Sequence, residues 1–142
     1  PADIAFFGQK DFQQTRVIMA MVRQLGMDVD LRVCPIVREP SGLAMSSRNQ
    51  YLTDPDRELA TSIHRVLREA QAAAQVRSSS PQAIAREAEA KLKDAGISKI
   101  DYVAVVDPDS LEPLDTWHPQ SVMVVAAYVG STRLIDNMFL TS

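Results

Sequence analysis

The chain has a single cysteine among its 142 residues, so no internal disulfide can form. Cys34 lies in an apolar, strand-like run. The expectation is a buried, unreactive thiol in a reducing compartment. No apolar stretch approaches the roughly 20 residues that cross a bilayer. Glycine is scarce, with five in all, and none are spaced as G-x-G-x-x-G or as a Walker A loop. A polyphosphate here would have to be held by side chains and a helix end rather than by a glycine cradle. The two histidines, His64 and His118, stand alone. Neither belongs to a set with zinc-ligand spacing. His64 sits beside a helix stripe and reads as structural, and His118 falls in a loop with no catalytic part. No dense Lys/Arg cluster occurs and the net charge is −3, which argues against a nucleic-acid partner. The opening "PADIAFFG" has no initiating Met, basic n-region or apolar signal segment. From it we expect the later part of a longer polypeptide.

An apolar fraction of 46% and a charged fraction of 23% belong to an ordinary globular chain. At this length about 70% of the unfolded surface can be buried. Ile4 to Phe7 reads as a short strand ended by Gly8. A helix follows from about Asp11 to Leu25, with Ile18, Met21, Val22 and Leu25 on one face and Gly26 as its stop. "DVDLRVCPIV" alternates and reads as a second strand. Strand, helix and strand at this spacing predict a βαβ unit with parallel strands. Residues Arg38 to Leu52, with Pro40, Gly42 and a polar cluster, read as a loop containing at most one helical turn.

Thr53 then caps a long helix of about residues 54–75, with Pro55 in its first turn. Ser80 caps a third helix, which Pro81 begins and Gly96 ends. "KIDYVAVVD", "SVMVVAAYV" and "RLIDNMFL" are three β-rich runs, the last two joined through Gly130 and Ser131 as a hairpin. The expected fold is α/β. The boundary falls near residue 40: residues 1–40 form a βαβ remnant, 41–52 a loop and linker, and 53–142 a small α+β domain. That last domain has two helices and about three antiparallel strands. A βαβ unit without sheet neighbours should also expose apolar surface.

Two stretches carry chemistry. In "FFGQKDFQQ", Gly8 allows a sharp turn out of a strand. Asp11 and Gln14 are spaced as a capping box, and Lys10 adds a cation just before a helix N-terminus, itself a weak anion site. In "GLAMSSRN", two hydroxyls and an arginine offer donors at several angles, and Arg48 can fork onto phosphate oxygens. Each alone reads more readily as a turn without a ligand, the first a helix cap and the second a polar turn. In a βαβ unit both lie beyond the carboxyl ends of parallel strands, the edge where open α/β sheets bind ligands.

"FFGQKDFQQ" followed by "CPIVREPSGLAMSSRNQYL" resembles the pantoate–β-alanine ligase (pantothenate synthetase) family. The likeness continues through the long helix, "IDYVAVVDPDSLEPLD" and "RLIDNM", and so covers essentially the whole chain. The resemblance implies a nucleotidyltransferase-type Rossmann domain followed by a smaller α/β domain. It also implies ATP and Mg²⁺, with pantoate and β-alanine condensed through a pantoyl-adenylate in a cytoplasmic homodimer.

By the same resemblance Gly8, Gln9, Lys10 and Asp11 line the ATP site, Gln14 contacts pantoate, and Val37 meets adenine through its backbone. Met45, Ser46, Ser47 and Arg48 match a KMSKS-like loop over the phosphates, and Lys10, Ser46, Ser47 and Arg48 carry the catalytic role. No protein metal ligand is expected. The family's His-x-Gly-His signature does not occur in this chain, which is therefore expected to hold part of a site. The alternative is a non-catalytic folding or self-association module. Another nucleotidyltransferase is disfavoured by the longer block around "SSRN".

Overall fold

The structure is a computed structural model that describes residues 3–141. β1 (Ile4–Gly8) pairs in parallel with β2 (Asp30–Cys34), from Ile4 opposite Asp30 to Gly8 opposite Cys34. Between them runs α1 (Phe12–Gln24), entered through a 3₁₀ turn, Gln9–Asp11. The expected βαβ unit is therefore present. Gly26 ends α1 at φ +59°. Its amide and that of Met27 reach back to the carbonyls of Arg23 and Val22, the two bonds of a Schellman stop.

α2 (Asp54–Val76) and α3 (Pro81–Ala95) follow, with Thr53 Oγ1 and Ser80 Oγ accepting the amides of Asp56 and Ala83 as N-caps. β3 (Lys99–Val106), β4 (Ser121–Val129) and β5 (Thr132–Thr141) form an antiparallel sheet in that order, with Gly130 and Ser131 as a two-residue turn. The α/β class and the count of helices and strands agree with the sequence reading.

Alternation along β4 explains the two-sided core. Met123, Val125, Ala127 and Val129 face α2 and α3, against Ile63, Leu67, Ile84 and Leu92. Val122 and Val124 face the other way, where Phe12 at the start of α1 covers them together with Val106. Phe12 thus fastens the βαβ unit to the far face of the three-stranded sheet. β5 lies at the edge of that sheet. The carbonyls of Arg133 and Phe139 accept from side chains, Arg48 Nη1 at 3.2 Å and Gln71 Nε2 at 2.9 Å.

The β1–β2 sheet behaves differently. Two strands cannot enclose their own apolar residues. Phe6 is 67% exposed, and Ile4, Val17, Met21, Leu25, Met27, Val33 and Val37 are exposed with it. The apolar surface expected of an isolated βαβ unit is there. The stripe read for α1 is real as a pattern, but Met21 and Leu25 face outward. The residues α1 buries are Phe12 and Thr15. Cys34 is likewise exposed, contrary to the buried thiol expected from its apolar neighbours. It ends β2, where among the described residues no further element covers the strand.

Candidate functional site

Gly8 is the last residue of β1, and Gln9, Lys10 and Asp11 turn directly out of it. The capping box expected of Asp11 and Gln14 does not form. Asp11 occupies the N-cap position of α1 with φ −88° and ψ 60° and makes no side-chain cap bond, and Gln14 is exposed. The intervening 3₁₀ turn leaves Asp11 without the extended backbone that a capping carboxylate needs. What holds the turn is remote in sequence. Asn137 of β5 donates from Nδ2 to the carbonyls of Gln9 (2.8 Å) and Lys10 (3.3 Å) and accepts from Gln9 Nε2 at 3.1 Å.

The second stretch folds back on itself. The Met45 amide donates to the Val37 carbonyl (2.9 Å) and the Glu39 amide to the Leu43 carbonyl (2.8 Å), with Gly42 at φ +94° in the bend. Val37 and Met45, eight positions apart, thereby become neighbours, and both are exposed. Ser46 Oγ accepts the Arg48 amide at 3.2 Å, capping the 3₁₀ turn Ser47–Tyr51. Ser47 and Arg48 are exposed, and Arg48 Nη1 rests on the Arg133 carbonyl. Beneath them Asn49 is buried, with Nδ2 on the Ala44 carbonyl at 3.0 Å. Glu39 binds Arg57 of α2 with both oxygens.

Arg38 ties this loop to β5. Its guanidinium forks onto Asp136 at 2.7 and 2.9 Å and donates to the Gly42 carbonyl at 3.1 Å. The Asn137 amide donates to the same carboxylate at 2.7 Å. Both stretches are therefore moored to one short piece of one strand, Arg133 to Asn137. Four residues of strand span about 14 Å. The depressions along α2 and α3, at Pro55–Arg65 and at Val66–Lys91, take no side chain from Lys10, Ser46, Ser47 or Arg48.

His64 lies under the bend. A Cβ built on Gly42 would collide with its Nδ1. Burial and the nearby Arg38 push the His64 pKa down, against a smaller upward pull from Asp136. Asp107, far from this region, is held below the ordinary carboxylate value by the amides of Ser110 and Asp109 and by His118. His118 itself is an exposed loop residue, with Nδ1 3.1 Å from Asp107 Oδ2. Among the described residues no group of three or more His, Cys, Asp or Glu side chains is placed to hold a metal ion.

Arg38, Asp136 and Asn137 are not among the residues that the local motifs single out. A signal for the last two is present in the sequence. Successive strand residues point to opposite faces, so adjacent polar residues inside "LIDNMF" cannot both reach solvent from a sheet packed on both sides.

A parallel strand pair whose carboxyl ends lead into polar loops, joined to a helix-backed antiparallel sheet, is an α/β architecture, the class in which ligands sit beyond the carboxyl ends of parallel strands. The chain belongs to the pantoate-beta-alanine ligase family, whose model matches residues 1–139. It is 44% identical over 140 residues to a pantothenate synthetase of Koribacter versatilis, covering 99% of this chain and 48% of that protein. The crystal structure of pantothenate synthetase from Thermus thermophilus superposes with a TM-score of 0.92 at 37% identity, over 99% of this chain and 50% of that one. The Francisella tularensis pantoate-beta-alanine ligase complexed with Beta-gamma ATP and Beta-alanine superposes at 0.69 with 29% identity, over 97% and 44%. The chain thus spans about half the length of the relatives it matches.

Proposed function

We propose that this chain is part of an enzyme that condenses pantoate with β-alanine, driven by ATP and passing through a pantoyl-adenylate. The observation that carries the reading is the mooring of two cationic loops, 8–11 and 45–48, the second bearing two hydroxyls, on one short stretch of β5, at Asn137 and Arg133. The relative complexed with Beta-gamma ATP and Beta-alanine supports ATP and an amine substrate.

In this reading residues 1–40 belong to the nucleotide-binding domain, 41–52 form the phosphate loop, and 53–142 form the supporting domain. Gly8, Gln9, Lys10 and Asp11 border the nucleotide on one side, with Val37, Met45, Ser46, Ser47 and Arg48 on the other. The Val37 carbonyl already holds the Met45 amide, which leaves its second lone pair and the Val37 N–H to adenine. Gln14, exposed one turn into α1, can both donate and accept, which suits a hydroxy acid such as pantoate.

The pantoate carboxylate is already an anion, so its attack on the α-phosphorus needs no general base. Negative charge grows on the α-phosphate oxygens and on the departing pyrophosphate. Lys10 and Arg48 meet that charge, with hydroxyl donors from Ser46 and Ser47 beside them. Mg²⁺ would neutralise phosphate charge when it arrives with ATP. Among the described residues no three His, Cys, Asp or Glu side chains gather to hold a metal, and this chain's own share of the work is charge and hydrogen bonding. The intact enzyme is taken to be a cytoplasmic homodimer, as the family resemblance implies.

One observation favours the second reading, that the chain alone is a non-catalytic module. The exposed apolar side chains of Phe6, Val17, Val33 and Val37, spread over both faces of β1–β2, leave the nucleotide-side sheet incomplete. Isothermal titration with Mg·ATP separates the two. We expect no binding, or millimolar binding at best, because the chain spans only about half the length of the relatives it matches. Micromolar affinity would mean that this half-site is self-sufficient.

A further inference from the structure

Asp136 and Asn137 are adjacent and nearly inaccessible, at 5% and 2% exposure. Being successive strand residues, they point to opposite faces of β5. Asp136 takes the Arg38 fork on the α2 side, and through Arg38 it holds the Gly42 carbonyl. Asn137 takes the carbonyls of Gln9 and Lys10 on the α1 side. The two residues are themselves linked, since the Asn137 amide donates to Asp136 Oδ1. The bonds from β5 to the two loops join positions 98 to 128 residues apart, so local folding of either loop cannot supply them.

We propose that Asp136 and Asn137 are positioning residues that set the spacing between the Gln9–Asp11 turn and the Val37–Arg48 loop. Neither touches a reacting atom; each acts through the loop it holds. This rests on the reading of those loops as the two sides of the nucleotide site. The chemistry explains why both residue types are required. Only a carboxylate accepts a guanidinium fork and a backbone amide together, and only a side-chain amide donates to two carbonyls while accepting from Gln9. An isosteric exchange therefore cuts each mooring without opening a cavity. Asn137→Asp turns a donor into a carboxylate facing two carbonyl oxygens. Asp136→Asn removes the charge from the fork.

The test is hydrogen–deuterium exchange, read segment by segment. Asn137→Asp should speed exchange in residues 8–15 about tenfold, with residues 37–47, α2 and β4 within twofold of the parent. Asp136→Asn should do the reverse, speeding residues 37–47 and sparing residues 8–15. Asp136→Glu, which keeps the carboxylate, should recover most of that protection. If Asn137→Asp does not fold, Gln9→Ala leaves β5 intact and should speed residues 8–15 about threefold. General destabilisation would move every segment together, so a uniform change, or none, overturns the proposal.

In a ligase of full family length that carries this chain, each isosteric variant should lower kcat/KM for ATP about tenfold. If the crossed exchange pattern is present and that ratio stays within twofold, the nucleotide reading of the loops fails while the mooring stands.

Discussion

Phe12 and Phe139 meet edge to face, with ring centroids 5.8 Å apart and planes at 79°. One ring belongs to the first turn of α1 and the other to β5. Phe12 is 1% exposed, and Arg16 lies over its outer side with Cζ 4.8 Å from the centroid. This pair is the apolar counterpart of the Asn137 bonds two residues away, and together they fix where the Gln9–Asp11 turn lies. Replacing Phe12 by alanine should cost about 3–5 kcal/mol, the usual loss for a fully buried aromatic ring. Urea unfolding followed by the fluorescence of Trp117 measures it; a loss below about 1 kcal/mol would mean that α1 is held by other contacts.

Gly42→Ala should disrupt the loop for two separate reasons. The φ of +94° is strained for any residue with a Cβ, and the added methyl would run into His64 Nδ1. We expect a loss of about 2 kcal/mol or more. His64→Ala in the same chain should recover the steric part and leave the backbone part. A double-mutant cycle by urea titration resolves the two, and strict additivity would refute the contact.

His64 also makes stability depend on pH. Burial and Arg38 lower its pKa in the folded chain, so between that value and the unfolded value of about 6.5 the unfolded chain holds more protons. The contribution is fully present above pH 6.5 and is lost as the pH falls through the folded value. The urea midpoint should therefore drop between pH 7.5 and pH 5, and His64→Gln should flatten that slope. An identical slope in the variant would assign the effect to other groups.

Lys10 and Ser47 should differ in what they contribute to adenylation. In a ligase of full family length, Lys10→Ala is expected to slow pyrophosphate release by about a hundredfold, the scale of one lost preorganised charge. Ser47→Ala removes one neutral hydrogen bond, about 1 kcal/mol, and should cost about fivefold. A Lys10→Ala rate within twofold of the parent would remove Lys10 from the chemistry.

Periodicity and punctuation in the sequence are enough to locate the elements. Thr53 and Ser80 begin α2 and α3, Gly26 and Gly96 stop α1 and α3, and Gly130–Ser131 turns the hairpin where expected. Local pattern is less informative about burial in the βαβ unit. Met21, Leu25 and Cys34 sit among apolar neighbours, yet what covers a residue depends on elements that two strands and one helix do not provide. The Asp11–Gln14 spacing suits a capping box, but the 3₁₀ turn redirects the backbone. The site residues come from local motifs and from the family likeness. The moorings come from neither, because Asn137 meets Gln9 only after the chain has closed a span of 128 residues.

The side-chain donors on the outer carbonyls of β5 bear on colloidal behaviour. An edge strand with free amides and carbonyls is a template on which another molecule can add a strand, the usual route to fibrils. Here Arg48 and Gln71 occupy the Arg133 and Phe139 carbonyls, and an incoming strand would have to displace both. Arg48, assigned above to phosphate, would thus double as a gatekeeper. Its withdrawal toward a nucleotide would bare one rung of that edge for as long as the ligand stays.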